Sequence, residues 1–253
     1  MKRSLEGKCA LVTGGSRGIG RGIALALAEA GASVAICYLH DGPDVEETLC
    51  ALRGFDVQAE AFKADVSNEE QVDAMVEAGT KMLGGLDIVV NNAGILDERP
   101  LVETTAEQFD RVIAVNLRGT FLVGRAAARV MAKRRTETPA RIINIASDLG
   151  HLGRENMTAY TASKGAIMSM TRTWARELAP SILVNAIAPG PIETDMLTPE
   201  FMSPEAIAAD LATPLARFGS TDEIGALAAF LCTDGAAFTT GQVYGVNGGS
   251  VMT

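Results

Sequence analysis

The sequence predicts one α/β domain built on a doubly wound parallel sheet of about seven strands with helices on both faces. Two observations carry that expectation. Short strand-like apolar runs alternate with longer stretches of helical periodicity, and the first run passes directly into a glycine-rich turn that opens an amphipathic helix. No linker-like, repeated or low-complexity segment interrupts the 253 residues, and a chain that is 47% hydrophobic at this length can bury a sizeable core, so residues 1–253 read as a single domain.

Strand-like runs fall at 8–13, 33–38, 56–62, 87–91, 141–146, 182–187 and 242–246, and helical patterns near 18–30, 43–53, 68–83, 105–135, 158–178 and 221–233. The first run, KCALVT, is a short buried strand, followed at once by Gly14-Gly15-Ser16-Arg17-Gly18-Ile19-Gly20 and by RGIALALAEAGA, an amphipathic helix. Glycines in such a turn permit positive φ and let the backbone approach a pyrophosphate, which rests on the unpaired N–H groups of the helix amino end. A dinucleotide is the expected ligand, as on Rossmann-type sheets. The spacing departs from G-x-G-x-x-G, and the same glycines would equally serve tight packing of strand on helix. Ligands on these sheets bind outside the carboxyl ends of the strands, and Gly14, Asn91, Ser147 and Pro189 all stand at or just past such ends.

Further along, Arg141 to Ala146 forms an apolar run, with Ser147 leaving it, Tyr160 thirteen positions later and Lys164 four beyond that. Positions i and i+4 share one helix face, so the phenol and the ammonium are neighbours. A fixed ammonium lowers a tyrosine pKa toward neutrality, and such a tyrosine can exchange protons at cell pH. Ser147 can polarise a carbonyl or hydroxyl oxygen beside it. Together the three suit alcohol–carbonyl interconversion; singly they also read as a buried Tyr, a snorkelling Lys and a strand-end Ser.

With these motifs in order, the chain resembles the short-chain dehydrogenase/reductases from about Gly7 to its C-terminus. Thr13-Gly14-x-x-x-Gly18-x-Gly20 is similar to that family's cofactor turn, Asn91-Asn92-Ala93-Gly94 to its central-strand motif and Pro189-Gly190-x-Ile192-x-Thr194 to its nicotinamide-side loop. The resemblance implies a catalytic set of Asn116, Ser147, Tyr160 and Lys164. It implies cofactor contacts from Gly14, Ser16, Arg17, Gly18, Ile19 and Gly20 on the pyrophosphate and adenosine side, and from Asp65 and Val66 near the adenine. Asn91, Ala93 and Gly94 would pass beside the adenosine ribose, with Pro189, Gly190, Ile192 and Thr194 at the nicotinamide. For Asp65 a helix cap before NEEQ is an equal alternative. In the implied mechanism the nicotinamide exchanges hydride with the substrate carbon, Tyr160 exchanges the proton, and Ser147 binds the oxygen. Lys164 holds the nicotinamide ribose, and Asn116 anchors a proton-relaying water.

Tyr38 occupies the end of the second strand, where NAD-preferring relatives place an acid, and Arg17 can meet a phosphate; NADP(H) is therefore favoured. NAD(H) remains the alternative, because Leu39, followed by His40 and Asp41, stands where NADP-dependent relatives often have arginine. Within the family the chain is most similar to bacterial 3-oxoacyl-acyl-carrier-protein reductases, through SRGIGRGIALALAEAGA, NNAGI, PGPIETDM, PLARFG and VNGG, segments shared by relatives acting on other substrates. The arginine many of those reductases carry after the catalytic helix is missing from Ala179-Pro180-Ser181-Ile182. Arg129 and Arg172 are left to attract an acidic carrier, and a free ketone or secondary alcohol competes as substrate.

Residues 191–218 read as a substrate lid, with Met196, Leu197, Phe201 and Met202 suggesting an apolar pocket or core, and Gly150, His151, Leu152 and Asn156 as the opposite wall. The cluster Arg125, Arg129, Lys133, Arg134 and Arg135 reads as cations at a helix carboxyl end or as a carrier-docking patch. Cys9, Cys37, Cys50 and Cys232 lack metal spacing and read as reduced, mostly buried thiols, with no metal site expected. A net charge of -9 and one Trp argue against nucleic acid. No signal core or membrane-length apolar run is present, so the expectation is a cytoplasmic protein. The resemblance implies a homotetramer packed through helices 105–135 and 158–178. A dinucleotide sensor that has lost its chemistry is the competing class, against which the intact catalytic set argues.

Overall fold

The computed structural model describes residues 3–134, 138–194 and 203–252. Among them, seven parallel strands form one sheet in the order β3-β2-β1-β4-β5-β6-β7. The strands are β1 (Cys9–Thr13), β2 (Ser33–Tyr38), β3 (Ala59–Lys63), β4 (Ile88–Asn91), β5 (Ala140–Ile145), β6 (Ile182–Pro189) and β7 (Val243–Val246). The chain winds outward from β1 to β3, then returns to lay β4 on the other side of β1. The switch point therefore opens between β1 and β4, whose carboxyl ends carry Gly14 and Asn91.

The helices are α1 (Gly18–Glu29), α2 (Pro43–Arg53), α3 (Glu69–Leu83), α4 (Ala106–Ile113), α5 (Gly119–Met131), α6 (Leu149–Leu152), α7 (Thr158–Leu178), α8 (Pro204–Leu211) and α9 (Thr221–Cys232). Alternate strand side chains serve opposite faces, as the pleat requires. Ala10 and Val12 of β1, with Val34 and Ile36 of β2, join Ile23 and Leu27 of α1, Leu52 of α2 and Ile224 of α9 in one core. Leu11 and Ala35 turn the other way, to Val72 and Val76 of α3 and Leu122 and Val123 of α5. Burying each such Leu or Ile contributes about 1.5–3 kcal/mol, enough in sum to fix which strand ends meet at the carboxyl edge.

Three expectations need correction. The helical pattern over 105–135 is not one α-helix: α4 and α5 are joined by a π-helical turn, Ala114–Arg118, with helical backbone on both sides. The side chain at its centre, Asn116, ties into the chain after β4. Asp65 is not a helix cap either. Asn68 caps α3 by accepting the Gln71 N–H at 3.1 Å, while Asp65 Oδ1 accepts from Ser67 N at 2.8 Å and Ser67 Oγ at 2.7 Å, closing the turn after β3. Strand β3 begins at Ala59, a few residues later than the pattern suggests, because the chain is still turning at Asp56, whose φ is +58°. Cys37 and Cys232 are buried and Cys9 half-buried, but Cys50 is exposed on α2. No helix of the described residues is long and apolar enough to cross a membrane.

Candidate active site

Four segments converge on the carboxyl edge. In the glycine turn, Gly14 and Gly18 hold φ of +61° and +54°, and a Cβ on Gly20 would lie 2.0 Å from the Gly14 carbonyl oxygen. Only glycine lets the first turn of α1 close on the end of β1. Arg17 at the N-cap supplies no side-chain cap, and the first turn of α1 holds no acid, so the amino end presents its N–H groups without an internal anion. A dinucleotide pyrophosphate fits that donor set. The residues that stitch the turn to β4 lie just outside the predicted set. Thr13 Oγ1 accepts from Asn92 N at 3.0 Å and Ala93 N at 3.1 Å, and Asn92 Nδ2 donates to Thr13 O at 3.0 Å and Gly14 O at 3.1 Å. Their signal was the motif itself, Thr13 before the glycines and Asn92 between two predicted contacts.

The other predicted cofactor residues surround this cradle. Tyr38 ends β2 in register with Lys63 at the end of β3, and Lys63 is ion-paired to Asp41. Ser16 and Val66 are buried. Asn91 donates sideways within the sheet, Nδ2 to Asn144 Oδ1 at 2.8 Å, while its own Oδ1 has no protein partner. Pro189 and Gly190 leave β6, and Thr194 faces the glycine turn: a Cβ on Gly18 would sit 3.6 Å from Thr194 Cγ2. Residues 195–202, including Met196, Leu197, Phe201 and Met202, lie outside the described residues, as does Arg135.

Ser147, the second residue past β5, is buried; its Oγ accepts the Leu149 N–H at 3.2 Å and is close enough to the Tyr160 phenol to oppose the rise of its pKa. Tyr160 stands near the start of α7, one turn before Lys164, which is 4% exposed. The Lys164 Nζ lies 5.5 Å from the Tyr160 ring centroid and donates to Ile145 O at 2.8 Å. The electrostatics depart from the sequence expectation. Burial raises the Tyr160 phenol above its ordinary range, Ser147 opposes the rise, and the charge of Asp148 adds to it. Burial likewise drops the Lys164 ammonium to about 8. The ammonium donates to a carbonyl and is itself desolvated, so the phenol keeps its proton at neutral pH and is set to donate it.

Asn116 is fully buried in the π-helical turn. Its Oδ1 accepts from Ile95 N at 2.8 Å, and its Nδ2 donates to Ile95 O at 2.9 Å and Ser163 Oγ at 3.2 Å. Ser163 Oγ in turn donates to Tyr160 O at 2.6 Å. The Asn116 side chain thus locks the segment after β4 to the helix carrying Tyr160. On the facing wall, a Cβ on Gly150 would meet Gly165 N at 2.9 Å, so α6 lies close against α7, with His151 and Leu152 exposed. Asn156, with φ of +63°, accepts from Arg99 N at 2.7 Å.

A family model described as Enoyl-(Acyl carrier protein) reductase matches residues 14–251. A 3-oxoacyl-[acyl-carrier-protein] reductase of Synechocystis is 38% identical over 98% of this chain and 99% of its own length. A short-chain type dehydrogenase/reductase of Picea abies is 40% identical over 98% of this chain and 93% of its own. The chain belongs to the short-chain dehydrogenase/reductase family. A solved short-chain dehydrogenase from Burkholderia cenocepacia, in complex with NADP, superimposes with a TM-score of 0.90 at 34% identity, covering 97% of this chain and 98% of that one. As a short-chain dehydrogenase/reductase the protein is an NAD(P)-dependent oxidoreductase that interconverts a ketone and a secondary alcohol.

Proposed function

We propose that the protein reduces a 3-oxoacyl thioester with NADPH, through Ser147, Tyr160 and Lys164. The observation that carries the chemistry is the meeting of buried Ser147 and buried Lys164, its Nζ 5.5 Å from the Tyr160 ring centroid, across the carboxyl edge from an uncapped α1 amino end. When bound, the reduced dinucleotide supplies hydride to the carbonyl carbon. Tyr160 gives its proton to the carbonyl oxygen as the C–O bond order falls, and its raised pKa keeps that proton available at neutral pH. Ser147 donates a hydrogen bond to the same oxygen. Lys164 would bind the nicotinamide ribose hydroxyls, while Gly14, Gly18, Ile19 and Gly20 would seat the pyrophosphate. Asn116 fixes the distance between the chain after β4 and the Tyr160 helix. NADP(H) is favoured over NAD(H) because Tyr38, not an acid, ends β2 and Arg17 stands in the glycine turn at the α1 N-cap.

The named relatives support the thioester. A free ketone or secondary alcohol is the second reading, and one feature favours it: the turn after α7, Ala179-Pro180-Ser181, has no cation for an acidic carrier. Of the basic cluster, Arg125 pairs with Glu69 at 2.5 Å and Arg134 with Asp87, which leaves exposed Arg129 and Lys133 among the described residues, with Arg172, as the carrier contacts. We further place the enzyme in the cytoplasm, where NADPH is drawn on, as one domain and as a homotetramer associating through α5 and α7, where Phe121 is exposed. Light scattering after gel filtration tests the assembly. The activity test follows NADPH and NADH oxidation against a 3-oxoacyl thioester, a cyclic diketone, a sugar ketone and a steroid ketone. Preference for the thioester with NADPH upholds the proposal; turnover of only a free ketone replaces it with the second reading.

A further inference from the structure

Behind the Ser147 hydroxyl lies a carboxyl group that the reaction above leaves unused. Asp148 is 5% exposed and its N–H donates to Pro189 O at 2.9 Å. Its two oxygens serve different segments: Oδ1 accepts from Ser147 Oγ at 3.3 Å, and Oδ2 accepts from Ser250 Oγ at 2.6 Å. Ser147 has one hydroxyl proton, and three acceptors compete for it: the Asp148 carboxylate, the Tyr160 oxygen and the substrate oxygen. An ionised carboxylate is the strongest neutral-pH acceptor of the three.

We infer that Asp148 is a positioning residue whose ionised form draws the Ser147 hydroxyl proton away from the substrate oxygen and whose protonated form releases it. A protonated Asp148 donates to Ser147 Oγ, and the Ser147 O–H then turns to the substrate. The inference rests on the carbonyl-reductase assignment and adds to it a group that touches neither substrate nor cofactor. The titratable and charged groups around Asp148 come from three helices and a loop. They are Asp210 of α8, buried and held by Arg154 at 2.5 Å with its Oδ2 unpartnered; Tyr160 of α7, whose phenol feels the Asp148 charge; and exposed His151 of α6. Burial is the largest influence and raises the Asp148 carboxyl above the ordinary range; hydrogen bonds from Ser250, Ser147 and the Leu149 N–H pull it back, and the Asp210 charge adds to the rise.

The signs of these influences make the test specific. In ligand-free protein with 13C-labelled aspartate, the carboxyl resonance missing from D148N should titrate above the reference of about 3.9. S147A and S250A should move that midpoint further up, because each removes a hydrogen bond to the carboxylate, whereas D210N should move it down. For ketone reduction, kcat/KM should fall by up to about tenfold per pH unit above the same midpoint. That limb should vanish in D148N and shift to higher pH in S250A, a pattern that loss of structure alone does not produce. A midpoint that ignores S147A, or a limb that survives D148N, overturns the inference. Absence of turnover with every ketone would instead sink the reductase assignment, and the carboxyl titration would still decide for or against Asp148. Should D148N fail to fold, the opposed shifts in S250A and D210N decide in its place.

Discussion

On the β1 side of the carboxyl edge, the ligand cradle is made of backbone. Gly14, Gly18 and Gly20 matter for the side chains they lack, and Thr13 and Asn92 serve them by bonding main-chain atoms. On the β5 side the reverse holds: Ser147, Tyr160, Lys164 and Asn116 act through side-chain atoms, and the backbone is there to hold them. A backbone cradle recognises what cofactors share, a pyrophosphate, and gains nothing from variation. A side-chain site can be retuned by its neighbours, as the raised phenol of Tyr160 and the lowered ammonium of Lys164 show. The two halves should therefore fail differently when single atoms are changed.

The largest effect is expected at the phenol. Tyr160→Phe removes one oxygen, the proton donor, and should lower kcat by roughly 10²–10⁴-fold, the usual worth of general acid catalysis, with dinucleotide affinity nearly unchanged in a fluorescence titration. If turnover stays near wild type, Tyr160 is not the proton donor. The cradle should show the opposite split. Gly20→Ala places a methyl 2.0 Å from the Gly14 oxygen, so the turn or α1 must shift. Overpacking strain of about 1–3 kcal/mol would weaken dinucleotide binding by about ten- to a hundredfold, leaving kcat at saturating cofactor less affected. Equal losses in both quantities would mean that the two halves are one mechanical unit.

Each half also left a different trace in the sequence. The cradle was legible because glycines between a strand run and a helix run have few other uses. The catalytic side chains were legible by their offsets, thirteen and four, within the resemblance to a family. What hid was whatever depends on direction. The π-helical turn at Ala114–Arg118 continues the helical apolar pattern, so nothing in AVNLR marks the extra residue that carries Asn116 inward. Asp148 reads as a charge past a strand end, normally solvated; its burial follows from Ser250, 102 residues further along the chain, and from Asp210, about sixty residues further. The expectation that Lys164 lowers the Tyr160 pKa failed for the same reason, since spacing gives proximity and says nothing of the Ile145 carbonyl that takes up the ammonium.

A smaller effect should sharpen the boundary between the halves at Tyr38, which ends β2 beside the cradle but acts through its side chain. Tyr38→Asp supplies the carboxylate that binds free ribose hydroxyls and repels a ribose phosphate. The ratio of kcat/KM for NADH to that for NADPH should rise about tenfold or more, a shift of about 1.4 kcal/mol or greater. An unchanged ratio would move phosphate recognition away from the end of β2, onto Arg17 alone.

The last contrast concerns stability. A backbone cradle buries no charge, but the catalytic half buries Lys164 with a pKa of about 8. The folded state therefore disfavours the ammonium relative to the unfolded chain, where the reference is about 10.4. Between those values the unfolded chain binds the extra proton, so this residue's contribution to stability rises with pH from about 8 to about 10.4, and below 8 the cost is fully present, on the order of 3 kcal/mol. Buried Cys37 and Cys232, each raised to about 12, work in the opposite sense once unfolded thiols ionise near about 8.5, so the wild-type curve alone hides the lysine. The difference between Lys164→Met and wild type cancels the thiols. Urea titrations should find the variant more stable by about 2–3 kcal/mol at pH 7, the gap narrowing toward pH 10, with turnover lost. A gap that does not change with pH would mean that the ammonium is solvated or fully compensated in the folded protein, and that the lysine is held at no cost to the fold.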